Sequence, residues 1–447
     1  MIRVRTEIPV YGGFTIARGD GAGDEGVVFV KGALPGETVD AVVNEKKRDY
    51  SVATVSEVLE PSELRVEPFC LHFGVFNCGG CHLQHASYEG QVIMKKAIIM
   101  DSFKRIAGLE IEPAAPITGH DTGYRHRAQF KISAEGSVGF FREGSRDVVP
   151  VSECPLLADG VNDALQAIKR LPLEGVREVH VTVGYRGDKP GGYEMDESGG
   201  REMAGHHGDD SAPSPEAGLF GEGPAGPSAL IKGRGFDEIL SREYADAGFD
   251  TVFFDDGSYR GRGFVSFELG GFAYSVSPLS FFQSNWRLNL KAVEAVKEML
   301  GPASGGTLLD IYAGGGNFSI PLSPEAKKIT AVEDNAPSVK DGIRNLELNG
   351  IRNMKFIKTS FEKFHSKGQK NFDAVIVDPP RPGLSREAAR RLLEMQPERL
   401  LYISCNPATL ARDVKKFLEK YKVESVRLVD FFPHTYHIEV LCLLARL

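Results

Sequence analysis

The sequence predicts a multidomain α/β protein with a small N-terminal β-barrel, a central mixed β domain and a C-terminal doubly wound parallel sheet. Its 447 residues are too many for one ordinary domain of roughly 150 residues, so we expect about three domains. Short strand-like runs with glycine-rich turns fill residues 1–60, whereas strands and helices alternate from Gly306 to the end. We therefore place the three domains at residues 1–60, 61–274 and 275–447.

The composition is that of a globular chain and does not fit a membrane-spanning or exported protein. Hydrophobic residues make up 42% and charged residues 26% of the sequence, which is enough apolar material for several cores. No apolar run approaches the ~18 residues that cross a bilayer. The first ten residues alternate like a strand and do not form a secretory signal. We therefore expect a cytoplasmic protein with no membrane partner.

The negative charge of the chain is concentrated in one segment. The formal net charge is −8, and residues 190–228 alone contain eight acids and one base. The remainder is close to neutral, with 52 bases and 53 acids, so net charge does not exclude an RNA partner. Because the segment is also rich in Gly and Pro, we expect a disordered insertion in a surface loop.

The first sixty residues predict a small barrel because short strand-like runs alternate with glycine-rich turns. We expect strands at residues 7–11, 27–31, 38–45 and 51–59. The phrases VVFVKGALPGETV and EPSELRVEPFC resemble the TRAM domain, a five-stranded RNA-binding barrel of the OB type. The resemblance implies RNA contact, and the alternative is a barrel that only packs against other domains.

The central region predicts one long helix followed by strands. Residues 86–107 are helical up to Gly108 and can pack on the C-terminal domain, whereas residues 124–183 alternate like strands around Cys154. Basic and aromatic side chains on these strands suit phosphate contact and base stacking, and an ordinary solvated sheet face is the alternative. These candidates for RNA contact are Tyr124, Arg125, Arg127, Lys131, Phe141 and Arg142.

From Gly306 onward, apolar runs of strand length alternate with helical stretches. Helical stretches separate the first six runs, and only the short turn FFPHTYH separates the last two. This order predicts a doubly wound parallel sheet of seven strands that ends in an antiparallel hairpin. The seven runs are TLLDI, ITAVE, MKFIK, DAVIVD, LLYIS, SVRLVD and IEVLCLL.

Ligands of open α/β sheets bind beyond the carboxyl ends of the strands. The first strand ends in LLDIYAGGGNFSI, where Gly314 and Gly316 let the backbone approach a ligand closely. Glu333 ends the second strand, 19 residues after Gly314, where an acid can hold a ribose diol. Together with the final hairpin, these features resemble the S-adenosylmethionine-dependent methyltransferase fold. The alternative is a nucleotide fold with another ligand.

A cysteine and a glutamate are predicted to share a cleft at this edge. Cys405 follows the fifth strand at the start of a helix, a position that lowers the pKa of a thiol. Glu439 opens the seventh strand, which is antiparallel, so its first residue lies at the edge where the parallel strands end. His434 and His437 are alternative bases, which we interpret as packing or turn residues.

The successive motifs SFFQSN, LLDIYAGGGNF, AVED, VDPPRPGL, YISCNP and FFPHTYHIE resemble those of the RNA uracil-C5 methyltransferases. The N-terminal barrel and the segment CGGCHLQH resemble the large-subunit rRNA members of that family. The resemblance implies that Cys405 is the nucleophile and Glu439 the general base. Ser360 stands at an adenine-side position where many members have Asn or Asp. The residues that the resemblance assigns to S-adenosylmethionine are Gln283, Tyr312, Asn317, Glu333, Ser360 and Asp378.

Four of the six cysteines are predicted to form one metal site. Cys70, Cys78 and Cys81 have the spacing C-x7-C-x2-C, and Cys154 precedes a proline far along the chain. Four thiolates suit a tetrahedral zinc or an iron–sulfur cluster. The resemblance of CGGCHLQH to the iron–sulfur segment of the rRNA enzymes implies a 4Fe–4S cluster. The neighbouring histidines, which we interpret as bystanders, are His72, His82 and His85.

The sequence therefore predicts an S-adenosylmethionine-dependent RNA uracil-C5 methyltransferase that acts on large-subunit rRNA through a covalent adduct between cysteine and C6. The alternatives are a tRNA uridine-C5 enzyme, a cytosine-C5 enzyme, and a non-catalytic iron–sulfur RNA-binding or ribosome-assembly factor. An inactive module would not need the intact set of Gln283, Glu333, Asp378, Cys405 and Glu439, which argues against the non-catalytic alternative. We expect the protein to be a monomer.

Overall fold

The computed structural model describes residues 1–17, 26–74, 78–184, 226–365 and 372–447. The acidic insertion predicted at residues 190–228 lies outside the described residues except for its last three, and Ser228 begins a strand. Among the described residues, no helix is long and apolar enough to cross a bilayer.

The N-terminal strands close into a five-stranded barrel, as the sequence predicts. Apolar side chains alternate along the strands, so that Val4, Val28, Val30 and Ala53 meet in a core of their own. The second strand is not predicted from the sequence, because its four residues are too few to show an alternating pattern. The strands are β1 (Ile2–Val10), β2 (Phe14–Ala17), β3 (Val27–Lys31), β4 (Thr38–Lys46) and β5 (Tyr50–Glu60), paired in the closed order β1-β2-β3-β5-β4.

A helix and a short strand that follow the barrel pack on the C-terminal part of the chain. Helix α1 (Tyr88–Ser102) continues as one π-helical turn and ends at Gly108, whose φ of +73° suits glycine. The side chains of Ile99 and Phe103 are fully buried in a core formed mainly by C-terminal residues. Strand β6 (Ala114–Ile117) follows this helix.

Seven strands form a mixed sheet in the centre of the chain. Helices α2 (Asp159–Ile168) and α3 (Glu238–Asp246) pack on it and bury Leu165 and Tyr244 in its core. The sequence analysis predicts only strands here, because helices of two or three turns give a weak periodic pattern. The strands are β7 (Arg127–Ile132), β8 (Val138–Phe141), β9 (Val148–Pro150), β10 (Glu178–Thr182), β11 (Ser228–Lys232), β12 (Thr251–Phe254) and β13 (Tyr259–Gly261), in the order β13-β12-β11-β10-β7-β8-β9.

A hairpin and a long helix connect the central sheet to the C-terminal sheet. Strands β14 (Val265–Leu269) and β15 (Phe272–Val276) are antiparallel. Helix α4 (Trp286–Leu300) begins after Asn285, whose side chain accepts a hydrogen bond from the amide of Leu288 at 3.2 Å.

The C-terminal sheet is doubly wound, but it has eight strands where the sequence predicts seven. Its strands are β16 (Thr307–Ile311), β17 (Lys328–Glu333), β18 (Met354–Lys358), β19 (Ala374–Val377), β20 (Arg399–Ser404), β21 (Tyr421–Val429) and β22 (Glu439–Arg446), and its helices are α5 (Ala336–Leu348), α6 (Arg386–Met395) and α7 (Pro407–Phe417). The strand order is β18-β17-β16-β19-β20-β22-β21-β6. The additional strand β6 pairs in parallel with β21 at the edge. Four residues that include Pro116 carry no recognisable strand pattern, and proline is tolerated at an edge.

Candidate active site

Several segments place polar side chains at one edge of the C-terminal sheet. The parallel strands end at this edge, and β22 begins there because it is antiparallel to β20. The amide of Asp378 donates a hydrogen bond to the carbonyl of Ile311 at 3.3 Å and so joins the ends of β19 and β16. The last residue of β17, Glu333, is paired with the last residue of β18, Lys358. The sequence-predicted residues on these segments are Tyr312, Glu333, Ser360, Asp378, Cys405 and Glu439.

The glycine-rich loop after β16 contains positive φ angles, which most residue types rarely adopt. Tyr312 has a φ of +62° and Gly316 a φ of +89°. A Cβ atom added at Gly316 would lie 2.8 Å from the side chain of Ile320, so glycine is required there on two grounds. The carboxylate of Glu333 accepts a hydrogen bond from the amide of Gly314 at 2.9 Å. The acid at the end of the second strand is therefore tied to the loop.

Two acids beside the loop are shielded from solvent, since Asp310 is buried and Asp378 is half-buried. Burial raises the pKa of Asp310 to about 7, and the negative charge of Glu333 adds to this shift. Burial likewise raises the pKa of Asp378 to about 7, with further contributions from the charges of Asp310 and Glu333. Among the described residues, no Lys or Arg forms an ion pair with Asp310 or Asp378. Buried acids without a cationic partner suit a ligand that carries positive charge.

Asp310 is not among the residues that the sequence predicts for the site. A signal for it exists, because a single acid inside the apolar run TLLDI is unusual for a buried strand. The side chain is 2% exposed in the middle of β16, between β17 and β19.

The remaining residues assigned to the cofactor lie on neighbouring segments. The side chain of Asn317 exchanges hydrogen bonds with that of Asn289 on α4, at 2.6 and 3.1 Å. Gln283 lies between β15 and α4, where it lines a small cavity together with Arg127. Ser360 precedes a short 3-10 turn beyond β18. Among the described residues, no hydrogen bond joins Gln283 or Ser360 to the glycine loop.

The half-buried thiol of Cys405 has a raised pKa, so the lowered pKa that the sequence predicts is wrong for this structure. Burial raises it to about 11, the charges of Glu439 and Asp378 add to the shift, and Arg381 opposes it. Cys405 precedes the helix cap Asn406, whose side chain accepts from the first free amides of α7 at 3.0 and 3.3 Å. The free amides at the start of α7, which would favour a thiolate, are therefore directed at the side chain of Asn406.

Glu439 lies next to Cys405 across the strand pair β20–β22. Ser404 is paired with Val440, so the residue after Ser404 and the residue before Val440 face the same edge. Burial raises the pKa of Glu439 well above its ordinary value, the charge of Asp378 contributes, and Arg381 opposes the shift. The structure thus brings the two residues together, while their chemical roles stay predictions.

The loop before β22 contains the two histidines that could serve as alternative bases. The amide of His434 donates to the side chain of Gln91 at 2.7 Å, and its Nδ1 lies 3.1 Å from Nε2 of the same side chain. Its φ of +65° places it in a tight turn. Burial lowers the pKa of His437 to about 4, with a further contribution from the charge of Arg381. His434 thus serves as a turn residue, and His437 is neutral at pH 7.

The C-terminal part of the chain has the sequence of a known enzyme family. Residues 268–447 match the family model described as tRNA (Uracil-5-)-methyltransferase. A 23S rRNA (uracil(1939)-C(5))-methyltransferase of Methylococcus capsulatus is 32% identical over 446 residues, which cover 95% of this chain and 93% of that protein. This chain belongs to the RNA uracil-C5 methyltransferase family. It is therefore an S-adenosylmethionine-dependent RNA methyltransferase.

Two further comparisons extend over nearly the whole methyltransferase. An uncharacterized RNA methyltransferase of Aquifex aeolicus is 32% identical over 462 residues and covers 99% of this chain and 98% of its own. The crystal structure of Pyrococcus abyssi tRNA (uracil-54, C5)-methyltransferase, solved in complex with S-adenosyl-L-homocysteine, has a TM-score of 0.71 and 24% identity. It covers 99% of both chains, so the two proteins share their fold.

The four cysteines predicted to bind metal line one cavity of the methyltransferase, together with Arg125. Burial raises the pKa of Cys78, Cys81 and Cys154, that of Cys81 to about 12. Among the described residues, no three His, Cys, Asp or Glu side chains converge closely enough to hold a single metal ion. The structure therefore brings the thiols to one cavity, while the bound group stays a prediction.

One of the six residues expected to face RNA is internal, so the sequence expectation is wrong for it. Tyr124 is 4% exposed and its hydroxyl donates to the carbonyl of Pro433 at 3.0 Å. The reason is that Tyr124 precedes β7 in a segment that packs against the loop before β22. Arg125 is half-buried beside the cysteines, and half-buried Arg127 donates to the carbonyls of Ser280 and Pro278 at 3.0 and 3.1 Å. For the other five residues, RNA contact stays a prediction.

Proposed function

We propose that this methyltransferase transfers a methyl group from S-adenosylmethionine to C5 of a uridine in large-subunit rRNA. The observation that carries the proposal is the pairing of Cys405 with Glu439 beside the buried acids. The rRNA substrate is supported by the 23S rRNA enzymes of Vibrio campbellii and Methylococcus capsulatus, which match 94% and 95% of the chain. A tRNA uridine is the second candidate, because the family model and the Pyrococcus abyssi enzyme are named for tRNA.

The proposed chemistry begins with addition of the Cys405 sulfur to C6 of uracil. C5 of the free base is a poor nucleophile, but a new S–C6 bond moves the electrons of the C5–C6 double bond toward C5 and O4. S-adenosylmethionine, when bound, would supply its sulfonium methyl group to C5, with the S–CH3 bond breaking and neutral S-adenosylhomocysteine leaving. Covalent addition thus divides one difficult step into two easier ones.

Glu439 is proposed as the base that completes the reaction. After C5 has gained its methyl group, the carboxylate takes the proton from C5, the C5–C6 double bond forms again, and the S–C6 bond breaks to release the thiolate. A carboxyl pKa raised by burial makes Glu439 a stronger base once it is ionised. The target base has to reach this half-buried pair from a single strand or by flipping out of its stack.

The buried acids fit S-adenosylmethionine as the ligand of the glycine-rich loop. The sulfonium and the amino group of this molecule are cationic, and buried Asp310 and half-buried Asp378 form no ion pair with a basic side chain among the described residues. Glu333 is proposed to hold the ribose diol, as acids at this strand end commonly do. The other residues proposed for this site are Gln283, Tyr312, Asn317 and Ser360.

A 4Fe–4S cluster is proposed for the cavity that contains Cys70, Cys78, Cys81 and Cys154. In such a cluster each thiolate binds a different iron atom, so the sulfurs stand farther apart than around one ion. Half-buried Arg125 lines the same cavity and forms no ion pair with a described acid, and its guanidinium donates to the hydroxyl of Tyr124 at 3.3 Å. A cation in the wall of the cavity suits an anionic cluster, to which we assign a structural role.

Iron and sulfide analysis of anaerobically purified protein tests the cluster. We expect about four iron atoms per chain, and Cys154→Ala should lower the iron content while the matched variant Cys442→Ala retains it. Cys442 lies on β22, away from the cavity, and provides the same chemical change at a buried site. Iron-free protein from anaerobic cells would remove this part of the proposal.

Methylation of defined RNAs tests the proposed function. The protein is incubated with S-adenosylmethionine and either a 23S rRNA transcript or tRNA transcripts, and the nucleosides are analysed by mass spectrometry. We expect 5-methyluridine in the rRNA, a loss to background for Cys405→Ala, and retained activity for Cys442→Ala. Methylation of tRNA alone would move the assignment to the second candidate, and full activity of Cys405→Ala would refute the covalent mechanism.

A further inference from the structure

A tyrosine of the N-terminal barrel reaches the edge of the C-terminal sheet where the parallel strands end. Tyr11 directly follows β1, and its hydroxyl donates a hydrogen bond to the backbone carbonyl of Cys405 at 3.2 Å. Its half-buried ring packs edge-on against Tyr436, with ring centroids 5.5 Å apart. The side chain therefore joins the barrel to both segments that carry the proposed catalytic pair.

The barrel turn that carries Tyr11 is shaped to lie close against these segments. Gly12 and Gly13 follow with φ values of +104° and +81°, which favour glycine. A Cβ atom added at Gly13 would lie 3.3 Å from the Cβ of His82 and 3.7 Å from that of Tyr436. The turn thus lies close against the segments of His82 and Tyr436, and a larger residue at Gly13 would push it away from them.

The phenol of Tyr11 is suited to act as a neutral hydrogen-bond donor. Burial raises its pKa to about 12, and the neighbouring Cys405 contributes to this shift. The hydroxyl therefore keeps its proton throughout the neutral range. A carbonyl at a strand-to-helix junction has no partner within the helix, so a donor from another segment restricts the rotation of that peptide.

We propose that Tyr11 is a positioning residue for the nucleophile. By holding the carbonyl of Cys405 it orients the peptide from which the Sγ atom projects, although Tyr11 itself does not take part in bond formation. The reaction that it assists rests on the proposed function, whereas its effect on the thiol does not.

The variant Tyr11→Phe tests the proposal by two independent measurements. The first is the rate of alkylation of Cys405 by iodoacetamide, followed by peptide mass spectrometry in the absence of RNA. Because the half-buried cysteine loses a restraint, we expect its alkylation to be at least about threefold faster. Alkylation of the fully buried Cys442 should stay unchanged, since it reports unfolding of the sheet as a whole.

The second measurement is steady-state methylation of rRNA. We expect kcat to fall about tenfold and KM to stay within about twofold, since a misplaced nucleophile slows the chemical step without weakening RNA binding. The matched control is Tyr50→Phe, which removes a hydroxyl from the same barrel where the ring packs on Phe29 at 5.4 Å. This variant should behave as the wild type in both assays.

The outcomes separate this inference from the proposed function. Wild-type alkylation of Cys405 in the Tyr11→Phe protein would overturn the positioning role, whatever the RNA assay gives. Faster alkylation in a protein whose wild type methylates no RNA would remove the proposed function but retain the role of Tyr11. Equal acceleration at Cys405 and Cys442 would indicate general destabilisation and would also overturn the proposal.

Discussion

Arg381 balances the negative charges that surround the proposed catalytic pair. It follows Asp378 by three residues in the turn after β19, and its charge lowers the pKa of both Cys405 and Glu439 against the larger effect of burial. The residue is exposed, so it can also be approached by a phosphate group of RNA. The sequence does not predict that Arg381 belongs to the site, because its effect on the pKa of Cys405 and Glu439 depends on segments that are distant along the chain.

Replacement of this arginine should make Cys405 less reactive. In Arg381→Gln the positive charge that favours the thiolate is absent, so the pKa of Cys405 should rise above about 11. Below its pKa the thiolate fraction falls about tenfold for each unit of increase, so alkylation at a fixed pH between 8.5 and 10 should be several-fold slower. Arg386→Gln, which removes an equal exposed charge at the start of α6, is the control. An unchanged or faster reaction would contradict the charge balance.

At the level of single residues, the sequence predicts positions better than it predicts environments. The meeting of Cys405 and Glu439 follows from strand direction alone. The pKa of Cys405 does not, because it depends on burial and on acids from other strands. Similarly, Arg125 is predicted to lie on a strand of mixed polar and aromatic residues, yet it precedes β7 and lines a cavity with cysteines from two separate segments.

Helix α1 fixes the loop that leads into β22. The ammonium group of Lys95 donates to Asp430 at 2.7 Å and to the carbonyl of Phe432 at 3.1 Å. Both charged side chains of this ion pair are at most 1% exposed. One turn earlier in the same helix, the side chain of Gln91 accepts a hydrogen bond from the amide of His434. Because Glu439 follows this loop directly, the helix helps to determine where the proposed base lies.

Removal of one partner of this buried pair should destabilise the protein strongly. Lys95→Met leaves Asp430 buried without a cation, and such losses cost about 3–5 kcal/mol of the free energy of unfolding. The control Lys96→Met removes the neighbouring lysine, whose ammonium group lies 3.7 Å from the carboxylate of Glu112, a side chain that is 80% exposed. This change should lower the free energy of unfolding by less than about 1 kcal/mol. Urea unfolding of the two variants provides the comparison. Equal stability losses would show that the buried pair has no special role.

The elements of the C-terminal sheet are predictable because long runs of apolar residues alternate with helical patterns. Strand β6, which pairs with β21, is not predictable, because it has only four residues and lies more than 300 positions away from β21 in the sequence. Helix α1 is predictable from its pattern and from Gly108. Its ion pair with Asp430 is not, because a lysine in an amphipathic helix is ordinarily expected to face solvent.

At the scale of the whole molecule, three parts of the chain meet beside the edge of the C-terminal sheet where the parallel strands end. The barrel contributes Tyr11, the segment between Cys81 and helix α1 contributes His82, and the loop before β22 contributes Tyr436. The amide of His82 also donates to the carbonyl of His434 at 2.8 Å. The order of these parts along the chain is evident from sequence motifs, whereas their meeting is a property of the folded protein.

In the proposed mechanism, Cys405 and Glu439 act in succession on one uracil ring. The most direct test is intact mass analysis of Glu439→Gln after incubation with S-adenosylmethionine and an RNA substrate. Glutamine cannot accept the C5 proton, so the S–C6 bond should persist and a covalent protein–RNA species should accumulate, whereas Cys405→Ala combined with Glu439→Gln should give none. Turnover by Glu439→Gln at the wild-type rate, or an adduct that survives the loss of Cys405, would contradict the account.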